Sequence, residues 1–287
     1  MPEARRSSGS PTVRRRELGA MLRALRNERG LTVDQVAVEL LCSPSKVSRM
    51  ETGQRGATLR DIRDLCNLYG VTEAADRERF MTLAREGKQQ GWWQSFSLPY
   101  TTYVGLEQEA ASLTIFQSAV VPGLFQIAGY IRAIHRAGIP RLEDEAIEER
   151  VEERGKRQLI LTGEGAPKVE VLLDEAVLRR PVGNPAIMRS QLDHLILMAE
   201  QPNIGIQVIQ FSAGAHPALE SNFTILEFVG QAPAIVHAES LAGQFYLERQ
   251  QDIERYLLAL GLLRDLALDP QDSAQVIAKI RDAYPSK

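Results

Sequence analysis

Apolar residues recur three and four apart through residues 14–87, and helix-stop and helix-start residues separate the runs. Leu18, Met21, Leu22 and Leu25 form the first stripe, in a helix expected over Arg14 to Arg29 and stopped by Gly30. Val36, Ala37, Leu40 and Leu41 form the second, behind Thr32 as N-cap with Gln35 at capping-box spacing. Ser43 and Pro44 then open a short helix, because proline at the first helical position sacrifices no hydrogen bond. On that helix Val47 and Met50 point one way, Ser45, Lys46 and Arg49 point the other, and Gly53 ends it. Thr58 caps a fourth helix carrying Leu59, Ile62, Leu65, Cys66 and Tyr69, closed by Gly70. Ala74, Phe80, Leu83 and Ala84 mark a fifth over Glu73 to Glu86, closed by Gly87.

The pattern then changes. Residues 88–104 hold Gly91, Pro99, five aromatics and no acid, which reads as a packed linker in which Trp92 and Trp93 dock two domains or face a ligand or partner. Beyond it, helices are expected over Glu107 to Ser118, Ile127 to Ala137, Glu143 to Leu161, Pro185 to Glu200, Gln251 to Leu266 and Ser273 to Tyr284. β-branched or alternating runs predict strands at Val169 to Asp174, Ile204 to Phe211, Phe223 to Phe228 and Ala234 to Ala238. Helices and strands do not alternate regularly, so the expected fold is a mainly α five-helix N-terminal domain and an α+β C-terminal domain with a small mixed sheet. The division expected is a disordered tail at 1–13, a helical domain at 14–87, a linker at 88–104 and a C-terminal domain at 105–284.

Charge sharpens this division. Residues 1–70 hold 13 basic and 8 acidic residues, a net of +5, and the remainder holds 21 and 29, a net of −8. A basic front on an acidic body suits a nucleic-acid-binding domain joined to something else. The outward face of the third helix has the chemistry for double-stranded DNA. Arg and Lys reach guanine O6 and N7 in the major groove, and Ser donates or accepts. Ser45, Lys46 and Arg49 are therefore the expected base readers. No apolar run approaches ~20 residues, so no membrane span or membrane partner is expected, and Arg5 and Arg6 have no apolar stretch behind them to make a secretory signal. Cys42 and Cys66 are expected in helices as buried free thiols of a cytoplasmic protein.

Residues 18–70, LGAMLRALRNERGLTVDQVAVELLCSPSKVSRMETGQRGATLRDIRDLCNLYG, resemble an XRE-type helix-turn-helix of the Cro and phage-repressor kind. Two positions depart from it. Leu41 stands where the turn often holds glycine, and Pro44 stands where a glutamine often reads a base. The resemblance implies that Arg26, near the end of the first helix, and Arg55, after the third, contact phosphates. YVGLEQEA, VVPGLFQIAGY, ERGKRQ, LLDEAVLRRPVG, QLDHL and NFTILEF follow in order over about residues 100–282. With the domain before them they resemble the antitoxin-like transcriptional regulators of actinobacteria. That resemblance implies a cytoplasmic regulator whose C-terminal domain binds a small partner protein, with no cofactor.

No catalytic set emerges. His135, His194, His216 and His237 are scattered, and neither HExxH, G-x-S-x-G nor GxxxxGK occurs, so no enzyme and no metal site are expected. Asp174 and Glu175 read as a strand-end cap or an acid pair. Arg154, Arg157 and Gln158 read as surface salt bridges or, with Tyr130, a polar pocket. The function expected is a sequence-specific transcriptional regulator, dimeric, controlled by a small partner protein or ligand. The alternative is an antitoxin-like interaction module whose DNA binding serves autoregulation.

Overall fold

The computed structural model describes residues 10–139, 141–229, 233–241 and 243–285. The chain divides into two units, the first ending at Glu109 and the second starting at Ala110.

In the first unit, α1 (Pro11–Glu28) begins earlier than the periodicity suggests. The Ser10 hydroxyl accepts from the Thr12 amide and Pro11 takes the first helical position, so residues 10–13 are capped helix and not tail. Residues 1–9 of the expected tail lie outside the described residues. There follow α2 (Val33–Glu39), α3 (Pro44–Glu51), α4 (Leu59–Leu68) and α5 (Ala74–Glu86). Both expected threonine caps form full capping boxes, Thr32 with Gln35 and Thr58 with Asp61. Gly30, Gly53 and Gly70 all take positive φ, as helix-stop glycines do. Leu18, Leu22, Val36, Ala37, Val47, Met50, Ile62, Leu65 and Phe80 close one core between these helices. Cys66 is buried in α4, but Cys42 lies half-buried in the turn before α3 rather than in a helix.

The aromatic stretch belongs to this unit. Trp92–Ser95 form a 3-10 turn, and Thr101–Glu107 form α6. Trp93, Phe96, Leu98 and Val104 bury one another, and Trp92 meets Trp93 and Phe96 edge to face. A Cβ on Gly105 would fall 2.4 Å from the Thr12 hydroxyl and 3.0 Å from the Trp93 ring, so α6 lies directly against the start of α1. The two tryptophans thus pack inside the first unit.

The second unit is a mixed six-stranded sheet in the order β3-β2-β1-β4-β5-β6. β1 (Ser112–Gln117), β2 (Lys168–Asp174) and β3 (Ile204–Ile209) are parallel, and Ile115, Val171 and Ile206 stand in one row across them. The helix expected over Glu107 to Ser118 is therefore wrong: α6 ends at Glu107, and Ser112 onward is strand. Leu113, Thr114, Ile115 and Phe116 are all buried, which suits a central strand covered on both faces. β4 (Phe223–Glu227), β5 (Ile235–Ser240) and β6 (Gly243–Leu247) continue antiparallel. Between β1 and β2 run a 3-10 turn (Gly123–Phe125), α7 (Ala128–Arg136) and α8 (Asp144–Gln158), and between β2 and β3 run α9 (Glu175–Arg179) and α10 (Pro185–Ala199). α11 (Gln250–Leu266) lays Ile253, Leu260 and Leu263 on the sheet face formed by Phe116, Leu172, Phe223, Ile225 and Val236. α12 (Pro270–Ala283) covers the outer edge of β3. There the Ser273 hydroxyl accepts from the Val208 amide at 3.0 Å and the Leu268 amide donates to the Val208 carbonyl at 2.9 Å, so that edge offers little to a passing strand.

α8 is not the solvated charge run its composition suggests. Arg150, Glu153, Arg154 and Arg157 are buried with Ile147 on its inner side. Arg154 donates to Gln126 at 2.7 Å, and Gln158 donates to the Gln126 carbonyl at 2.7 Å. The Tyr130 hydroxyl accepts from the Val121 amide at 3.1 Å in the same neighbourhood. Asp174 caps α9 through the Ala176 amide at 2.7 Å, and Glu175 pairs with Arg179 at 2.5 Å.

Candidate nucleic-acid interface

α3 is eight residues long, too short to hold itself together, and its position is set by three kinds of contact. The first is apolar: Val47 and Met50 are buried in the core of the first unit. The second is a close crossing. A Cβ on Gly19 of α1 would fall 2.5 Å from the Met50 carbonyl oxygen and 2.6 Å from that of Glu51, so only glycine lets α1 lie on the end of α3. The third is ionic. Arg26 grips Glu51 with both arms of its guanidinium, Nε to Oε1 at 2.7 Å and Nη2 to Oε2 at 2.9 Å. Its remaining nitrogen, Nη1, donates to the Leu31 carbonyl at 2.9 Å. Bonding to Glu51 holds the Arg26 guanidinium above its ordinary range despite partial burial. The Tyr69 phenol is pushed up by burial first and by the Glu51 charge second.

The N-terminal end of α3 is pinned in a similar way. Ser43 caps it by accepting from the Lys46 amide at 3.2 Å. Lys46 Nζ lies 2.6 Å from Asp61 Oδ1, the carboxylate that also completes the capping box of α4. Burial works to raise the Asp61 carboxyl, but Lys46 and the Thr58 donors outweigh it and hold it below its ordinary range.

What α3 leaves outward is Pro44, Ser45, Ser48 and Arg49, all exposed, with Thr52 behind them. Ser45, Ser48, Arg49 and Thr52 are three, four and seven residues apart, which is one helical face. Among the described residues the Arg49 guanidinium reaches back only to the Ser45 carbonyl, at 3.3 Å. Arg55 is exposed beyond the helix, where its amide donates to the Arg49 carbonyl at 3.0 Å and fixes the exit of the chain. Of the five residues singled out from the sequence, Ser45, Arg49 and Arg55 are thus open, and Lys46 and Arg26 are engaged within the domain. Ser48 was missed, although its spacing from Ser45 is enough to place it on the same face. The turn before α3 carries its own mark. Leu41 has φ +50°, the one non-glycine positive φ among the described residues, and its side chain is 93% exposed. The turn thus keeps the left-handed backbone that glycine usually supplies, at a cost of about 1–2 kcal/mol.

Two helices of this kind, the second with a bare polar face and both seated by the helix before them, define a helix-turn-helix DNA-binding domain. Residues 17–80 match the helix-turn-helix domain family. Residues 100–279, well over half the chain, match the domain of unknown function DUF5753, and the protein belongs to that family. No curated protein and no solved structure matches the chain. The DUF5753 match starts at residue 100, whereas the first unit runs to Glu109, so α6 is shared between the family's sequence signature and the DNA-binding unit's packing. No helix among the described residues is long and apolar enough to cross a membrane, and none of their acidic, histidine or cysteine side chains gather into a metal site.

Proposed function

We propose that this protein is a sequence-specific transcriptional regulator of the XRE type that binds an inverted repeat as a dimer. Its second unit, under this reading, receives the controlling signal, a small partner protein or ligand, as its resemblance to antitoxin-like regulators suggests. The observation that carries the proposal is the open face of α3, where Ser45, Ser48 and Arg49 are exposed while Val47 and Met50 are buried.

On this reading Arg49 reads a base edge with Ser45 and Ser48 beside it, and Arg55 contacts a phosphate. Lys46 and Arg26 act one step back, holding α3 at the angle the groove requires. Selection sequencing of bound DNA tests the assignment. Arg49→Ala should lose about 1–3 kcal/mol on the preferred site and relax preference at one base pair. Arg55→Ala should weaken preferred and random DNA alike, and lower the salt slope by about one unit. An Arg49→Ala profile identical to that of the unaltered protein would reject the base-reading role. Lys46→Ala that relaxed a single base pair, with melting temperature unchanged, would return Lys46 to the DNA.

A further inference from the structure

α11 is apolar on two opposite sides. Ile253, Leu260 and Leu263 lie in the core beneath it, with Tyr256 packed beside them. Leu258 and Leu262 point the other way, 69% and 48% exposed. At 3.6 residues per turn the two leucines lie about 40° apart, nearly opposite Tyr256 and Leu260. Arg255 and Asp265 extend the same outward stripe, one at each end, and both are exposed. Neither makes an ion pair among the described residues, whereas neighbouring Arg264 is bound to Glu170. The stripe reads Arg-x-x-Leu-x-x-x-Leu-x-x-Asp, so both leucines, and both charges, are equidistant from position 260. The shoulders of the stripe at the same level are the small residues Ala259 and Gly261. Among the described residues nothing beyond its neighbours and its own helix backbone comes within 4 Å of a Cβ built on Gly261, although glycine inside a helix costs about 1 kcal/mol relative to alanine.

We propose that this stripe is the two-fold contact between two copies of the chain, with the α11 helices antiparallel and crossing at position 260. Leu258 then packs on the partner's Leu262, and Arg255 meets the partner's Asp265, each contact occurring twice. A two-fold interface must be self-complementary, residue i on j and j on i. A stripe with leucines at matched positions and opposite charges at matched ends meets that condition, and an unrelated partner would have no need of it. Gly261 and Ala259 let the backbones approach. The inference rests on the dimer reading above and supplies its contact.

Sedimentation velocity of the full chain across a concentration series tests it. The unaltered protein should be dimeric. Leu258→Glu should raise the dimer dissociation constant by at least about tenfold, and Arg255→Asp by about tenfold, since like charges then face each other. Arg255→Asp combined with Asp265→Arg should return to within about threefold of the unaltered value, the pair being restored in reverse. All these side chains are exposed, so far-UV circular dichroism should hold and separate a lost contact from a lost fold. A dimer indifferent to Leu258→Glu would overturn this interface and leave the dimer reading intact. A full chain monomeric at every concentration would overturn both. Failure of the double reversal to recover association would overturn the antiparallel two-fold arrangement.

Discussion

α3 and α11 are each seated by apolar residues on one side and open on the other, yet they are held by different physics. α3 has eight residues and only Val47 and Met50 to bury among its apolar side chains, so ion pairs at both its ends complete the seating. α11 has 17 residues and a longer apolar side, and the Arg264–Glu170 pair only adds to it. Their open faces differ as well. Serine and arginine rest in water without penalty and wait for a ligand rich in acceptors. Leucine in water is a standing cost, about 25 cal/mol for each Å² of apolar surface left wet, and that cost is relieved by covering it. A helix stabilised by charge and a helix stabilised by burial should therefore fail under different insults.

The largest expected difference is ionic. Glu51→Ala leaves the Arg26 guanidinium partly buried without its carboxylate, and should cost the first unit about 3–5 kcal/mol in urea unfolding of the full chain. A loss below about 1 kcal/mol would mean that Val47 and Met50 alone seat α3. Acid should strike the other unit first. Burial, with Arg157 adding to it and Gln244 opposing, pushes His237 down to about 4 from the ordinary imidazole value of 6.5. It does so although Glu239 lies 3.7 Å away, because that carboxylate is exposed. Between those pH values the unfolded chain binds a proton that the folded chain refuses, so stability falls as pH drops from 6.5 to 4. The His237 contribution to that fall is at most about 3 kcal/mol. His135 is lowered to about 4 by burial and by Arg154 and Arg150, and adds in the same direction. Asp61 is held low, so the support it gives α3 persists until pH falls below 3.8. Calorimetry between pH 7 and 4.5 should show the second unit's transition descending before the first's, and a parallel descent would break the contrast.

Gly19→Ala comes next. Its methyl would collide with two backbone carbonyls that have no rotamer to move, so about 1–3 kcal/mol and a tilted α3 are expected. DNA affinity should drop with stability, and affinity unchanged at lowered stability would show that the tilt does not matter. The smallest effect has the opposite sign. Leu41→Gly should stabilise the first unit by up to about 1 kcal/mol, because it relieves a left-handed backbone and sacrifices only an exposed side chain. A destabilising Leu41→Gly would mean that the entropy glycine adds to the unfolded chain outweighs the strain it relieves.

The helical unit was largely legible from sequence because its signals are local. Caps, stops and apolar spacing sit within a few residues of what they determine, and Thr32, Ser43 and Thr58 all do what their positions announce. Site residues were legible only where they face water. Lys46 and Arg26 looked like DNA contacts because Asp61 and Glu51 stand 15 and 25 residues further on, and nothing local announces the pairing. In the sheet unit the failures are of the same kind. The stretch around Glu107 to Ala111 has helical composition, and it masked the short apolar run of β1 that follows. β6 is a five-residue edge strand with no fully buried position, so no alternation marks it. Arg154 and Arg157 read as a wet face because composition cannot reveal that they are buried, or that Gln126 in the loop facing α8 accepts from Arg154.

That loop, Val121 to Ile127, is wired by side chains in place of a ladder. The Val121 amide donates to the Tyr130 hydroxyl and the Ile127 amide to Gln191. The carbonyls of Val121, Phe125 and Gln126 accept from the side chains of Gln126, Gln191 and Gln158. In deuterated solvent, an irregular segment normally surrenders its amide protons within the first minutes. Here the protons of Val121 and Ile127 should be retained about as long as those of the central strands, since they are released only when α7, α8 and α10 part together.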